Sequence, residues 1–156
     1  MRGIWFVLLL LSGAGSWAQQ LPRQHDVLGA MRLANSYFMR NWPDPGKPIE
    51  LHPDAISHGR PVTDPSHVWN RAVYYEGLMA LYSIDPNRKY YDYAVAWGRS
   101  HQWTPNGTVE TRLADNHCAE QTWVDLYRID PRPQRIAMVK ENIDRMVHSD
   151  RCDDWY

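Results

Sequence analysis

The sequence predicts an all-α protein built from stacked helical hairpins. Apolar residues recur at the three- and four-residue spacing of helices, and no stretch alternates convincingly between apolar and polar residues as a strand would. The segment 81–86, Leu-Tyr-Ser-Ile-Asp-Pro, returns 45 residues later as Leu-Tyr-Arg-Ile-Asp-Pro at 126–131. Each copy ends one helix and starts another, and such units either stack as an open solenoid or close into an α/α toroid.

The length of 156 residues predicts one domain, and the composition restricts the kinds of partner it can have. Its net charge of −1 predicts neither a nucleic-acid nor a membrane partner. The chain has 8 Trp and 9 Tyr but only 2 Phe. Trp and Tyr combine a flat apolar face with a polar group, which suits stacking on sugar rings, but we expect packing between helices to account for most of these residues.

The first 18 residues have the pattern of a secretory signal. Met1-Arg2 precede a short apolar run, and a small-x-small cleavage pattern ends at Ala18. The sequence therefore predicts an exported protein, periplasmic or extracellular, whose domain occupies residues 19–156 and has no membrane association after cleavage. A signal anchor is the alternative. Export permits a disulfide between Cys118 and Cys152, but the sequence gives no distance between them.

The first two helices are separated by a long loop. Asp26 is expected to cap a helix that ends near Asn41, where three prolines follow closely. Residues 42–65 read as a loop, either the rim of a site or an ordinary linker. Ser66 is expected to cap the second helix, which runs from His67 to about Ile84 and ends because a proline follows the next residue.

Three more helices follow in quick succession. The third spans about Lys89 to Ser100, and the fifth spans about Pro133 to Val147. The fourth begins at Asp115 or Asn116 and ends at Ile129, before the second Asp-Pro stop. The two Asp-Pro turns should lie at one end of the stack, so that the second and fourth helices begin together at the other end.

This arrangement directs attention to the start of the fourth helix. Asn70 and Asp115 are separated by the same 45 residues as the two turns, and each lies in the first turn of its helix. Parallel helices direct their positive ends toward one surface, which favours an acidic ligand there. The alternative for Asp115 is an ordinary helix cap that accepts hydrogen bonds from the following amides.

Two segments resemble a known family. They are 67–82, which contains His-Val-Trp-Asn-Arg and Tyr-Glu-Gly-Leu-Met-Ala-Leu-Tyr, and 114–127, which contains Ala-Asp-Asn-His-Cys-Ala-Glu-Gln-Thr-Trp. Both resemble glycoside hydrolase family 105, the unsaturated rhamnogalacturonyl and glucuronyl hydrolases, to which family 88 is related. The resemblance extends over about 27–156. It implies an (α/α)6 barrel, a six-hairpin toroid of which about five helices are present here.

The resemblance also implies a reaction. Members of the family remove a 4,5-unsaturated uronic acid from the non-reducing end of oligosaccharides left by polysaccharide lyases. An acid protonates the enol ether, water adds at C5, and the resulting hemiketal opens and releases the remaining sugar. Neither a metal nor an organic cofactor is implied, and the expected partner is the unsaturated oligosaccharide.

The family pattern assigns roles to individual residues. Asp115 matches one of two aspartates of the family's site, the one that fixes the substrate and tunes the acid. The expected substrate-binding residues are Trp69, Asn70, Tyr74, Asn116 and His117. Trp69 is expected to stack on the unsaturated ring, with Tyr74 on the same helix face.

The principal acid of the family is expected beyond Tyr156, so residues 19–156 alone are expected to be an inactive N-terminal part of the barrel. The alternative is an exported helical-repeat module that binds carbohydrate without catalysis.

Overall fold

The computed structural model describes residues 21–50 and 63–148. Their five helices are α1 (Gln24–Asn41), α2 (Trp69–Ile84), α3 (Arg88–Ser100), α4 (Ala114–Ile129) and α5 (Ala137–His148). Two short strands, β1 (Ile49–Glu50) and β2 (Thr63–Asp64), pair antiparallel within the predicted loop. The described residues are therefore mostly helical, which confirms the predicted all-α class.

Two of the sequence predictions concern residues outside the described part of the chain. The signal sequence at 1–18 and the pairing of Cys118 with Cys152 both stay predictions, because residues 1–20 and 149–156 are not described. Within 21–50 and 63–148, none of the helices is long and apolar enough to cross a bilayer.

Two predicted helix caps are wrong. The first helix begins at Gln24, and its N-cap is Arg23 without a side-chain hydrogen bond. Asp26 lies inside the first turn and accepts a hydrogen bond from Arg23 Nε at 2.9 Å. The second helix begins at Trp69, three residues after Ser66, whose hydroxyl instead donates to the Pro45 carbonyl. In both cases the side chain that the local pattern assigned to the cap is hydrogen-bonded elsewhere. Asp26 is bonded to a charged neighbour, and Ser66 is bonded to a distant carbonyl.

Helices α2 and α4 pack side by side and run parallel. At mid-length, Thr122 Oγ1 on α4 donates to Glu76 Oε1 on α2 at 2.8 Å. At their C-terminal ends, Ser83 and Ile129 line one shallow groove. The two Asp-Pro turns therefore lie at the same end of the stack, as the repeat predicts, and the helices begin together at the opposite end.

Aromatic rings join α3 to this pair. Tyr75 and Trp97 stack almost face to face with their ring centroids 3.8 Å apart, and Trp123 lies 6.2 Å from Trp97. All three rings are buried in the core. Next to them, a Cβ added at Gly98 would lie 2.2 Å from the Trp103 ring, so only glycine leaves room for this close approach.

A buried arginine closes the C-terminal end of α4. Arg135 is 2% exposed, and its Nη1 donates to the carbonyl oxygens of Leu126 and Asp130 at 2.7 and 3.1 Å. Its Nη2 donates to the Tyr91 hydroxyl and to Asp130 Oδ2, each at 2.9 Å. One side chain thus satisfies carbonyls at the helix end, a role often filled by glycine turns, and also ties the turn to α3.

Replacing Arg135 with alanine should lower the free energy of unfolding by about 2–3 kcal/mol, because buried carbonyls lose a charged donor. Chemical denaturation monitored by circular dichroism measures the loss. Arg132→Ala is the matched control, since Arg132 is exposed and pairs with the same Asp130 at 2.6 Å. A loss in the control equal to that of Arg135→Ala would contradict the capping role.

Candidate functional site

The shared starting end of α2 and α4 brings together two of the predicted site residues. Asn70 and Asp115 are each the second residue of their helix. They lie six residues before Glu76 and seven residues before Thr122, the pair that is hydrogen-bonded between the helices. The two positions are therefore at the same level on neighbouring helices, whose axes are typically about 8–10 Å apart.

Asp115 is exposed and does not cap its helix. The N-cap of α4 is Leu113, whose side chain makes no capping hydrogen bond. The capping alternative for Asp115 is therefore wrong, because the chain enters the helix two residues earlier than a cap at this position requires. The carboxylate stands at the positive end of α4, where the helix dipole stabilises negative charge.

Two acidic side chains, Asp115 and Glu76, lie along the contact between α2 and α4. Burial, followed by the negative charges of Asp115 and Glu76, raises the pKa of the Cys118 thiol. Burial also raises the pKa of Glu76, against the hydrogen bond from Thr122. Glu76 is a candidate that the sequence analysis missed, although its position within the apolar pattern of the second helix was the available signal.

Trp69 and Asn70 begin α2 at the same end. The Trp69 side chain is 52% exposed, which leaves much of its ring open to a ligand. Asn70 Nδ2 is 3.4 Å from Asp64 Oδ2 on β2, a long and weak hydrogen bond. Both side chains therefore remain available at the level of Asp115.

Tyr74 lies on a different face of α2. It follows Trp69 by five residues, which is about 140° around the helix, so the expectation of a shared face is wrong. Its ring stacks on Phe38 of α1 at 3.3 Å between centroids, and its hydroxyl donates to Asn35 Oδ1 at 2.5 Å. Burial raises the pKa of this phenol. Substrate binding by Tyr74 stays a prediction, and in the described structure its ring attaches α1 to α2.

Asn116 holds the segment that precedes α4. The residue is 6% exposed, its Oδ1 accepts from Asn106 at 2.9 Å, and its Nδ2 donates to Thr111 Oγ1 at 2.7 Å. The segment turns sharply at Gly107, where φ is +78° and glycine is favoured. Both ends of the Asn116 amide are used within the protein, so it positions the start of α4, and direct substrate contact stays a prediction.

His117 lies within hydrogen-bond distance of a buried carboxyl group. Its Nδ1 is 2.9 Å from Glu120 Oε2, and Glu120 is 6% exposed. Burial raises the pKa of Glu120, while His117 opposes the shift. The remaining atoms of the two side chains, His117 Nε2 and Glu120 Oε1, are buried and have no hydrogen-bond partner among the described residues. Both residues line a groove of about 540 Å³ between α4 and α5 that also contains Glu76 and Asp125.

A histidine pair fixes the chain just before α2. Ser66 Oγ lies 2.6 Å from His101 Nε2, and the rings of His67 and His101 stack with centroids 3.9 Å apart. Burial, and then the neighbouring His67, lowers the pKa of His101 to about 4. Burial lowers the pKa of His67 as well. Both rings are therefore neutral near pH 7, and the loop leading to Trp69 is anchored on the end of α3.

The described residues offer oxygen and imidazole groups suited to sugar hydroxyls and to proton transfer. No group of three or more His, Cys, Asp or Glu side chains in 21–50 and 63–148 is arranged to hold a metal ion. The open surface at the start of α2 and α4 combines one exposed carboxylate, one amide and one indole ring. Such a set can bind and orient a carbohydrate.

Comparison with solved structures defines the class of the fold as a partial helical toroid. A glycosyl hydrolase family 88 protein from Bacteroides vulgatus is 21% identical with a TM-score of 0.65, over 84% of this chain and 36% of that one. A protein described as a polysaccharide lyase is 19% identical with a TM-score of 0.64, over 85% of this chain. The chain thus spans about a third of the length of either protein.

The family follows from the sequence match. The model of Glycosyl Hydrolase Family 88 matches residues 31–154, and the chain belongs to that family. No curated protein sequence matches the chain significantly. The match covers the predicted site residues of α2 and α4, while the two structural relatives show the fold.

The histidine pair makes the stability of the protein depend on pH. His101 stays neutral in the folded protein down to about pH 4, whereas the unfolded chain binds this proton near pH 6.5. Stability is therefore complete above pH 6.5 and falls between pH 6.5 and 4, by at most about 3 kcal/mol. Thermal unfolding over this range should show the decline, and His101→Gln should flatten it.

His25→Gln is the matched control, because His25 is exposed on α1. Its pH profile should match that of the unmodified protein. A decline that persists unchanged in His101→Gln would show that other groups cause it.

Proposed function

We propose that the protein is an exported hydrolase of the family 105 type. It removes a 4,5-unsaturated uronic acid from the non-reducing end of oligosaccharides produced by polysaccharide lyases. Membership of family 88 supports a glycosidase. The unsaturated substrate and the finer family rest on the resemblance of segments 67–82 and 114–127 to family 105.

The observation that carries the proposal is the common level of Asn70, Asp115 and Trp69 at the start of two parallel helices. The positive ends of α2 and α4 favour the carboxylate of a uronic acid. The exposed indole of Trp69 offers a flat face for the sugar ring. Asn70 supplies an amide that can donate to and accept from hydroxyls.

Asp115 acts in this proposal as a carboxylate beside the general acid. The acid donates a proton to C4 of the enol ether, and water that loses a proton adds its oxygen to C5. The hemiketal then opens by breaking the bond between C5 and the ring oxygen, which leaves a hemiacetal at C1. This hemiacetal collapses to an aldehyde and releases the remaining sugar as its alcohol. A neighbouring negative charge raises the pKa of an acid, so Asp115 helps to keep the donor protonated near neutral pH.

We place the general acid in the part of a complete family member that lies outside the third spanned by this chain. Cys118 supports the electrostatic side of the proposal, since the negative charge of Asp115 contributes, after burial, to the raised pKa of its thiol. The reaction in this scheme needs proton transfer and water alone.

A carbohydrate-binding module without catalysis is the second candidate. The exposed ring of Trp69 supports it equally well, because stacking on a sugar requires no acid. The two candidates differ in one measurable respect: only the hydrolase consumes the C4=C5 double bond.

Asp115→Asn in the whole protein should lower kcat/KM for unsaturated galacturonyl-rhamnose about a hundredfold or more. The loss of ultraviolet absorbance from the double bond measures turnover, and differential scanning calorimetry measures stability. Stability should hardly change, since Asp115 is exposed and does not cap α4. Asp144→Asn, at an exposed position on α5, is the control. Full activity in Asp115→Asn would refute its role, and binding without turnover by the unmodified protein would favour the binding module.

Trp69→Ala should raise KM about tenfold while kcat changes less, because ring stacking contributes mainly to binding. Trp69→Phe keeps a ring and should recover most of the affinity. Initial rates over a range of substrate concentrations separate the two constants. An equal loss in both variants would show that the indole N–H, and not the ring face, makes the contact.

A further inference from the structure

A second groove lies at the opposite end of the helices from Asp115. It has a volume of about 500 Å³ and runs along α3 beside the turn between α4 and α5. Ile129, at the C-terminal end of α4, lies on its wall. Fourteen residues separate Ile129 from Asp115 in the same helix, a distance of roughly 21 Å. The groove is therefore separate from the candidate active site.

The groove is positively charged although the chain is not. Four arginines and two aspartates line it. Arg88 pairs with Asp92 at 2.8 Å, and Arg132 and Arg135 share Asp130. Arg99 forms no ion pair with any acidic side chain in the described part of the chain. The groove thus carries a local excess of two positive charges on a chain whose net charge is −1.

One of these four arginines is buried and held in a fixed position. Arg135 is 98% buried, and four hydrogen bonds fix its guanidinium against Tyr91 and the end of α4. Its Nε is buried without a partner. The ring of Tyr82 lies 6.0 Å from that of Tyr91 and also lines the groove. A rigid, buried cation beside two tyrosine rings differs from a row of solvated arginines.

We propose that this groove is a second carbohydrate-binding site, which binds the carboxylates of an acidic oligosaccharide. Guanidinium groups bind carboxylates in a planar fork, and tyrosine rings pack on sugar faces. Arg88 and Arg99 are separated by eleven helical residues, roughly 16 Å, so an acidic oligosaccharide several sugars long is needed to reach both. The choice of an acidic sugar rests on the proposed function, whereas the site itself rests on the geometry of the groove.

The test is a titration of the whole protein with an oligogalacturonate that has no C4=C5 double bond. Isothermal titration calorimetry measures the binding. The double variant Arg88→Ala/Arg99→Ala removes two guanidinium groups that bind carboxylates, so binding in the groove should weaken about tenfold. Both side chains are exposed and the fold does not depend on them. Arg23→Ala/Lys140→Ala removes two exposed cations elsewhere and should bind as the unmodified protein does. The double variant at the groove should keep its turnover of unsaturated substrate.

Two results would overturn the proposal. One is equal binding of oligogalacturonate by the groove variant and the control variant. The other is equal affinity for a short single-stranded DNA of the same charge, which would show non-specific attraction of anions. Binding that depends on Arg88 and Arg99 but persists in Trp69→Ala would support the second site even if no hydrolysis of an unsaturated sugar were found.

Discussion

The stacked rings of Tyr75 and Trp97, with Trp123 beside them, are the contact on which the rest of the described structure depends. Each ring comes from a different helix, so the cluster fixes α2, α3 and α4 relative to one another. Large aromatic side chains provide much of the apolar area that a small core can bury. The rings also fix the position of α2 against α4. They therefore determine that Asn70 and Asp115, each the second residue of its helix, lie at one level.

The helices could be predicted from the sequence because their signals are local. Apolar spacing and two Asp-Pro stops gave α2, α3 and α4 nearly correct limits. The errors in helix capping occurred where another residue competes for the side chain. Ser66 bonds to Pro45 and His101, which are 21 and 35 residues away, and no local pattern reveals such partners. Asp26 was misassigned because a charged neighbour, Arg23, takes its carboxylate.

The candidate site was predictable in position but not in its supporting groups. The repeat alone placed Asn70 and Asp115 at the same end of the stack. By contrast, Glu120 reads in the sequence as an ordinary surface glutamate, because burial arises only when other helices cover that face of α4. Asn116 was expected to bind substrate, yet its hydrogen bonds to Asn106 and Thr111 depend on a loop whose path the sequence does not specify.

Asp85 and Asp130 occupy equivalent places in the repeat but bind different partners. Asp85 accepts from Arg32 on α1, whereas Asp130 accepts from Tyr91 and from Arg135 just after the turn. The hairpins are therefore not interchangeable modules. A chimaera that exchanged the first unit for the second would preserve the Leu-Tyr-x-Ile-Asp-Pro motif yet lose the arginine that each aspartate needs.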